Sequence, residues 1–312
     1  MRLIFLGTPV FAVPTLERIV NAGRQVLCAV TQPDRPSGRG RQLAAPPVKI
    51  TAKKLGIPVY QPERVRRPEA VDHLLSLAPD AMVVVGYGQI IPQSVIDIPP
   101  LGIINVHASL LPKYRGAAPV QWAIVNGETR TGVTTMRIDA GLDTGDMLLK
   151  AETEIGPEEN AIELGERLAV LGADLLVKTL EGLDNGTITP MKQDAAQATY
   201  APILKKEDGR IDWGLPAQAI HNRVRGFQPW PGAFTAFRGQ KLHIWKSRVA
   251  GAQCGTSGRI GKLKPITICC GSGSLELLEV QLDGRKRISA ADFVNGQRVI
   301  ENDVLGDLPI WM

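Results

Sequence analysis

The stretch 104–119 reads INVHASLLPKYRGAAP and sets Asn105, His107 and Ser109 at alternate positions. Side chains two apart on a strand share a face. A carboxamide, an imidazole and a hydroxyl are therefore aimed in one direction at the end of the apolar run LGIINV, just before a loop containing Pro, Gly and Arg. A second polar constellation follows in IDAGLDTGD, where Asp139, Asp143 and Asp146 crowd a glycine-rich turn. One of these aspartates suits the turn-capping work of an Asx turn, and Asp139 or Asp146 fits that work before Asp143. No covalent nucleophile stands out. An amide donor, an imidazole and a carboxylate suit attack by an external nucleophile on a carbonyl, with stabilisation of the oxyanion and movement of a proton.

The elements that must position these groups are legible in the first half of the chain. LIFLG, VLCAVT, PVYQ, AMVVVGYG and GIINVH are continuous apolar runs, as expected of strands buried on both faces. Helical patterns lie between them, such as PTLERIVNAG with a glycine at its end, the usual helix-stopping place for that residue. The alternation predicts an α/β, Rossmann-like, doubly wound and mostly parallel sheet. Ligands of such sheets bind beyond the carboxyl ends of the strands, which is where Asn105 and His107 fall. GVTTMRID and MLLKAETEI read as two more strands, and a helix from about 161 to 182 carries Ala161, Leu164, Leu168, Leu171 and Leu175 on one stripe. The last hundred residues change character. After the helix PAQAIHNRVRGF, short alternating strands are separated by glycine turns, the pattern of a small OB-like β-barrel. The expected division is a catalytic domain at 1–189, a linker at 190–206 and a C-terminal barrel domain at 207–312.

Other classes fall away on spacing. No apolar run reaches the roughly 18 residues of a membrane span, and MRLIFLG reads as a first strand, not a signal peptide. Cys28, Cys254, Cys269 and Cys270, two of them adjacent, suit neither a disulfide framework nor a metal knuckle, and the 4 histidines make no ligand motif, so no metal is expected. One DTG triplet is not the pair an aspartic protease needs. GxGxxG after the first strand, a P-loop lysine and a GxSxG elbow are all missing. Charge is more informative. Residues 191–312 hold 17 Lys+Arg against 11 Asp+Glu, and no acid lies between Asp212 and Glu276. A second acid-free stretch runs from Arg35 to Pro62. Such patches attract polyanions.

NVHASLLPKYRGAAP together with DAGLDTGD closely resembles the 10-formyltetrahydrofolate-dependent formyltransferases. FLGTPVFAVPTLERI, TQPDRPSGRGRQLAAPPVK and RIDWGLPAQAIHNRVRGFQPWPGAF resemble the branch that acts on tRNA, so the likeness covers nearly the whole chain. It implies a catalytic triad of Asn105, His107 and Asp143, with 10-formyltetrahydrofolate as formyl donor and co-substrate and no metal. Ser109, Leu110, Leu111 and Pro112 would line the folate pocket, although Leu110 and Leu111 alone read equally well as core packing. The acceptor would be the α-amino group of methionine on initiator tRNA. The basic loop DRPSGRGR would wedge against the acceptor stem, with Arg39 central and Arg35 and Arg41 beside it. Lys205, Lys206, Arg223, Arg225, Lys246 and Arg248 are candidates for phosphate contacts. A monomer working in a bacterial cytoplasm is expected. Rival readings are transfer to a nucleotide amino sugar, hydrolysis of the formyl donor, and non-catalytic RNA binding. The triad reading demands that Asp143 come within hydrogen-bond reach of His107.

Overall fold

The apolar run LIFLG forms most of β1 (Arg2–Gly7), whose last five residues are all buried. The chain continues through α1 (Val13–Asn21), β2 (Gln25–Val30), β3 (Arg35–Ser37), β4 (Gln42–Ala44), α2 (Pro47–Lys54), β5 (Val59–Tyr60), α3 (Pro68–Ser76), β6 (Ala81–Val85), α4 (Gln93–Ile96) and β7 (Ile103–His107). Then come β8 (Arg115–Gly116), α5 (Pro119–Val125), β9 (Arg130–Arg137), β10 (Met147–Glu154), α6 (Ala161–Asp184) and β11 (Tyr200–Ala201). This structure, a computed structural model, describes residues 1–37, 42–251, 255–301 and 303–306. The chain divides into two units, one of Met1–Gly116, Arg130–Glu154 and Gly165–Ala201, the other of Ala117–Thr129, Ile155–Leu164 and Pro202–Met312.

The first unit is built on a seven-stranded sheet in the order β10-β9-β7-β6-β1-β2-β5. The five strands from β7 to β5 are parallel, and β9 and β10 extend the sheet antiparallel. This is the Rossmann-like architecture expected from the sequence. Its centre is apolar because β6 (AMVVV) is buried along its whole length, whereas the edge strand β10 alternates half-buried and exposed from its third residue. Winding reverses between β1 and β6, and a crevice opens at the carboxyl ends of such strands. α6 closes one face of the sheet. A Cβ placed on its Gly172 would lie 2.8 Å from Val106 Cγ1 and 3.3 Å from Val133 Cγ1, so helix and strand touch with no room for a side chain. Val106 therefore faces α6, and by alternation Asn105 and His107 face the other way.

The second unit holds α7 (Ala217–Gly226), β12 (Ala233–Phe237), β13 (Gln240–Val249), β14 (Ile260–Leu263), β15 (Ile266–Cys269), β16 (Ser274–Leu282), β17 (Ile288–Ser289) and α8 (Ala290–Gln297). Its sheet runs β12-β13-β16-β15-β14, with β17 on β16. Arg238 and Gly239, with φ of 48° and 75°, make the turn between β12 and β13, the left-handed pair that matches strand twist in a tight hairpin. The segment at 304–305 bridges Arg259 beside one edge and Phe237 on the other, so the sheet curls toward a barrel. Leu305 is buried in its core with Phe237, Ile260 and Phe293. The strand pattern of the sequence did not anticipate α8, whose Ser289 Oγ accepts the Asp292 amide at 3.1 Å. Cys269 is disulfide-bonded, against the expectation for the cysteines.

Candidate active site

His107 ends β7 and is 5% exposed. Its Nε2 lies 2.9 Å from the Tyr114 carbonyl. A carbonyl only accepts, so Nε2 carries the proton and Nδ1 is the ring atom left for chemistry. Nδ1 stands 3.7 Å from Asp143 Oδ2. That is ion-pair distance and longer than a direct hydrogen bond. The expected closer contact is not made: with the ring proton on Nε2, Nδ1 and the carboxylate are both acceptors, and Oδ2 takes its hydrogen bond from the Gly116 amide at 2.8 Å. Asn105, half-buried, precedes His107 by two residues in the register that sets it against Val84 and Met136.

Backbone strain helps to aim the carboxylate. Asp143 has φ of 51° and Tyr114 φ of 61°, left-handed conformations that cost a side-chain-bearing residue on the order of 1 kcal/mol and persist only where the surroundings hold them. Asp139 behaves as the turn-capping aspartate, accepting the Gly141 amide at 3.1 Å and the Thr144 hydroxyl at 2.7 Å.

The loop after β7 is pinned along its length. Thr134 on β9 donates to the Ser109 carbonyl at 2.7 Å and accepts the Leu111 amide at 3.1 Å. The Ser109 hydroxyl turns back to the Lys113 carbonyl at 2.6 Å. Leu111 is fully buried with Met136 and Met147. Among the four residues expected to line the folate pocket, Ser109 and Leu111 thus have internal partners, while Leu110 and Pro112 are partly exposed. Sequence reasoning missed the backbone roles of Tyr114 and Gly116, although both lie in the loop it singled out. Thr134 left no signal beyond its place in a strand.

Two family models match the chain: one described as formyl transferase over residues 1–180, the other as the formyl transferase C-terminal domain over residues 203–298. A methionyl-tRNA formyltransferase of Solibacter usitatus is 71% identical over 308 residues, covering 98% of this chain and 99% of that protein. Its counterpart in Geobacter metallireducens is 55% identical, with 96% of each chain covered. The chain belongs to the methionyl-tRNA formyltransferase family. Solved structures share the fold at low identity. An N-formyltransferase from Helicobacter canadensis, in complex with folinic acid and dTDP-3-aminofucose, superposes with a TM-score of 0.65 at 19% identity, covering 88% of this chain and 98% of its own. HypX from Aquifex aeolicus, in complex with tetrahydrofolic acid, gives 0.65 at 15% identity, covering 98% of this chain and 51% of its own.

The basic residues of this formyltransferase sort by environment. Arg35 is exposed and reaches Glu63 at 3.1 Å, whereas Arg39 and Arg41 lie outside the described residues. Below Arg35, Asp34 is held by Lys49 at 2.7 Å and Gln61 at 2.8 Å. These hydrogen bonds, Gln61 first, lower its pKa below the usual carboxylate value. Lys205, Lys206 and Lys246 are exposed. Arg248 is exposed but paired with Glu276 at 2.7 Å. Arg223 is half-buried over the Phe227 ring, 5.0 Å from its centroid, and donates to the Asp208 carbonyl. Arg225 does not fit the phosphate-contact role expected of it. It is 7% exposed, and its guanidinium donates to Asn222 Oδ1 and to the carbonyls of Gly156 and Glu159. A buried charge needs such partners, and they commit Arg225 to the fold.

Proposed function

We infer that this formyltransferase moves the formyl group of 10-formyltetrahydrofolate to the α-amino group of methionine esterified to initiator tRNA. One observation carries the reading: similarity to methionyl-tRNA formyltransferases runs unbroken through both the catalytic unit and the basic C-terminal unit, at 71% identity over 98% of the chain. The bacterial relatives support a cytoplasmic site of action, beside the translation machinery. No described helix is long and apolar enough to cross a membrane. We take the working form to be a monomer.

The chemistry follows from the strand end. A free α-amino group titrates near pH ~8, and esterification of the carboxyl lowers that, so much of the nucleophile is neutral at pH 7 and needs no strong base. The amine attacks the formyl carbon. A carbon–nitrogen bond forms, negative charge collects on the formyl oxygen, and the bond to the folate nitrogen then breaks. Asn105 and the Nδ1 side of His107 share a face; Asn105 is placed to donate to that oxygen, and Nδ1 joins it once it has taken up the proton of the attacking amine. Asp143, 3.7 Å from Nδ1, orients the imidazole. The proton lost by the amine ends on the departing folate nitrogen, by way of His107. Catalytic hydrogen bonds are often long before substrate binds, which fits the His107–Asp143 separation.

In this reading Arg35, Arg39 and Arg41 contact the acceptor stem. Lys205, Lys206 and Lys246 meet phosphates, with Arg223 and Arg248 as weaker contributors because each already has a partner. The test is to supply 10-formyltetrahydrofolate labelled in the formyl group, with methionyl initiator tRNA, a nucleotide amino sugar, or no acceptor. Label on the methionyl-tRNA is the expected result. Label on the sugar, or released as formate at the same rate without acceptor, would replace this reading with one of its rivals.

A further inference from the structure

Gln193 lies in the stretch 190–206 that was expected to be a linker, and residues up to Ala201 pack within the first unit. This piece of chain is tied to the catalytic unit on both sides of Gln193. Met191 exchanges backbone hydrogen bonds with Met147, both at 2.8 Å. Tyr200 and Ala201 pair with Arg115 and Gly116, and Thr199 accepts the Tyr114 amide on its hydroxyl at 2.8 Å. Between these anchors Gln193 uses its whole carboxamide. Nε2 donates to the carbonyls of Asp143 and Gly145, both at 2.8 Å. Oε1 accepts from Arg115 Nε at 3.0 Å and from Nη2 at 2.8 Å.

Arg115 is 5% exposed, so the two-pronged contact occupies two donors of a buried guanidinium and ties the glutamine to a fixed post. The other end of the carboxamide holds the backbone of Asp143, whose φ of 51° needs outside support. The same Asp143 accepts the Gly116 amide on Oδ2, and Gly116 directly follows Arg115. Post, glutamine, strained aspartate and glycine amide form one closed circuit around the carboxylate that faces His107. Other side chains do not reproduce it. Glutamate keeps the contact to Arg115 but sets an oxygen against two carbonyl oxygens. Asparagine is one methylene too short to reach both ends.

We propose that Gln193 is a positioning residue for formyl transfer: mounted on buried Arg115, it locks the Asp143 backbone so that the carboxylate stands at its working distance from His107 Nδ1. The proposal rests on the assignment of Asp143 as the partner of His107 in the reaction.

The test compares full-length wild type, Q193E, Q193N, D143N, the double variant D143N/Q193E and Q197A. Among the described residues the Gln197 carboxamide bonds to the exposed Asp194 side chain, away from Asp143, so Q197A serves as the neutral control. Steady-state formylation of methionyl-tRNA is measured for each, with a thermal melt and hydrogen exchange at the Gly116 amide. Displacing a catalytic group by about 1 Å costs on the order of 10²-fold. Q193E is therefore expected to lose about 10- to 100-fold in kcat, with the KM for each substrate within about twofold of wild type and an unchanged melt, because Arg115 keeps a partner. Q193N is expected to give the same split at smaller size, which keeps the test alive if Q193E fails to fold. The Gly116 amide is expected to exchange faster in Q193E while the Val106 amide on β7 does not. D143N/Q193E is expected to be no slower than D143N, since residues acting as one unit are not additive. A Q193E enzyme with kcat within about twofold of wild type, or Q193E and D143N losses that multiply, overturns the proposal while leaving the function intact. Wild-type turnover in D143N removes the assignment of Asp143 and this inference with it.

Discussion

Asn105 has a task that a single substitution isolates. If its carboxamide donates to the formyl oxygen only as charge develops there, removing it leaves substrate binding alone and raises the barrier. Loss of one oxyanion donor costs about 10²–10³ in rate. Asn105→Ala is expected to lose kcat by that order while the KM for tRNA holds, and initial-rate kinetics at varied tRNA check it. A variant with near-normal turnover would falsify the assignment. His107 differs in kind. Its Nε2 is committed to the Tyr114 carbonyl at 2.9 Å, so the fold has already chosen which nitrogen is left free of that bond. Arg225 is the instructive contrast. By sequence it is one more base in a basic stretch; in space its donors are all turned inward toward Asn222, Gly156 and Glu159.

At the scale of elements, the close seat of α6 on β7 and β9 holds the catalytic strand in register. Gly172→Val would drive two methyl groups into Val106 and Val133, where even one Cβ comes within 2.8 Å. Overpacking of this kind costs roughly 1–3 kcal/mol. A lower urea midpoint is expected, with a fall in kcat as β7 shifts; an unchanged midpoint would show that the helix can yield. The paired strands β3 and β4 flank the basic segment in sequence, and their base is held by the Asp34–Lys49 contact. Arg39→Ala, from the charge pattern, and Asp34→Asn, from the structure, are both expected to raise the KM for tRNA several-fold without weakening folate binding. Unaltered tRNA kinetics in both would remove the segment from the interface.

Across the whole molecule two solution properties follow from charge. Neutralising phosphates releases counterions, so the logarithm of tRNA affinity is expected to fall with the logarithm of salt concentration, by roughly 0.7–0.9 per contact. Binding measured between low and physiological salt gives the number of contacts directly, and a flat response would exclude the basic surface. The second property is acid sensitivity of the C-terminal unit. Burial lowers the pKa of His221, and burial with Lys241 nearby lowers that of His243, from the ordinary 6.5. The unfolded chain then binds those protons more tightly than the folded one. Stability is full above about pH 6.5 and declines as the pH falls from there toward the folded values. Melting followed from pH 7 to pH 5 is expected to show the decline, and His221→Asn is expected to flatten it.

What the sequence determined by itself is whatever depends on local pattern. Continuous apolar runs alternating with helical stripes specify a mostly parallel sheet, glycine-separated alternating runs specify an antiparallel one, and the spacing in NVHAS puts Asn105 and His107 on one face. Asn105 and His107 stood out because polar types are unusual at the end of an apolar strand, whereas Asp143, one of three aspartates in a turn, was singled out by the likeness of DAGLDTGD to the formyltransferases. Tertiary structure alone decided which polar atoms are already spent. It turned Ser109 Oγ toward Lys113, buried Arg225, fixed the proton on His107 Nε2, and set Asp143 at 3.7 Å from Nδ1. It also brought Gln193 to the Asp143 loop from 50 residues away. Nothing local marks a glutamine in a polar stretch, because the partners that give it meaning, a buried guanidinium and two loop carbonyls, exist together only after the chain has closed around them.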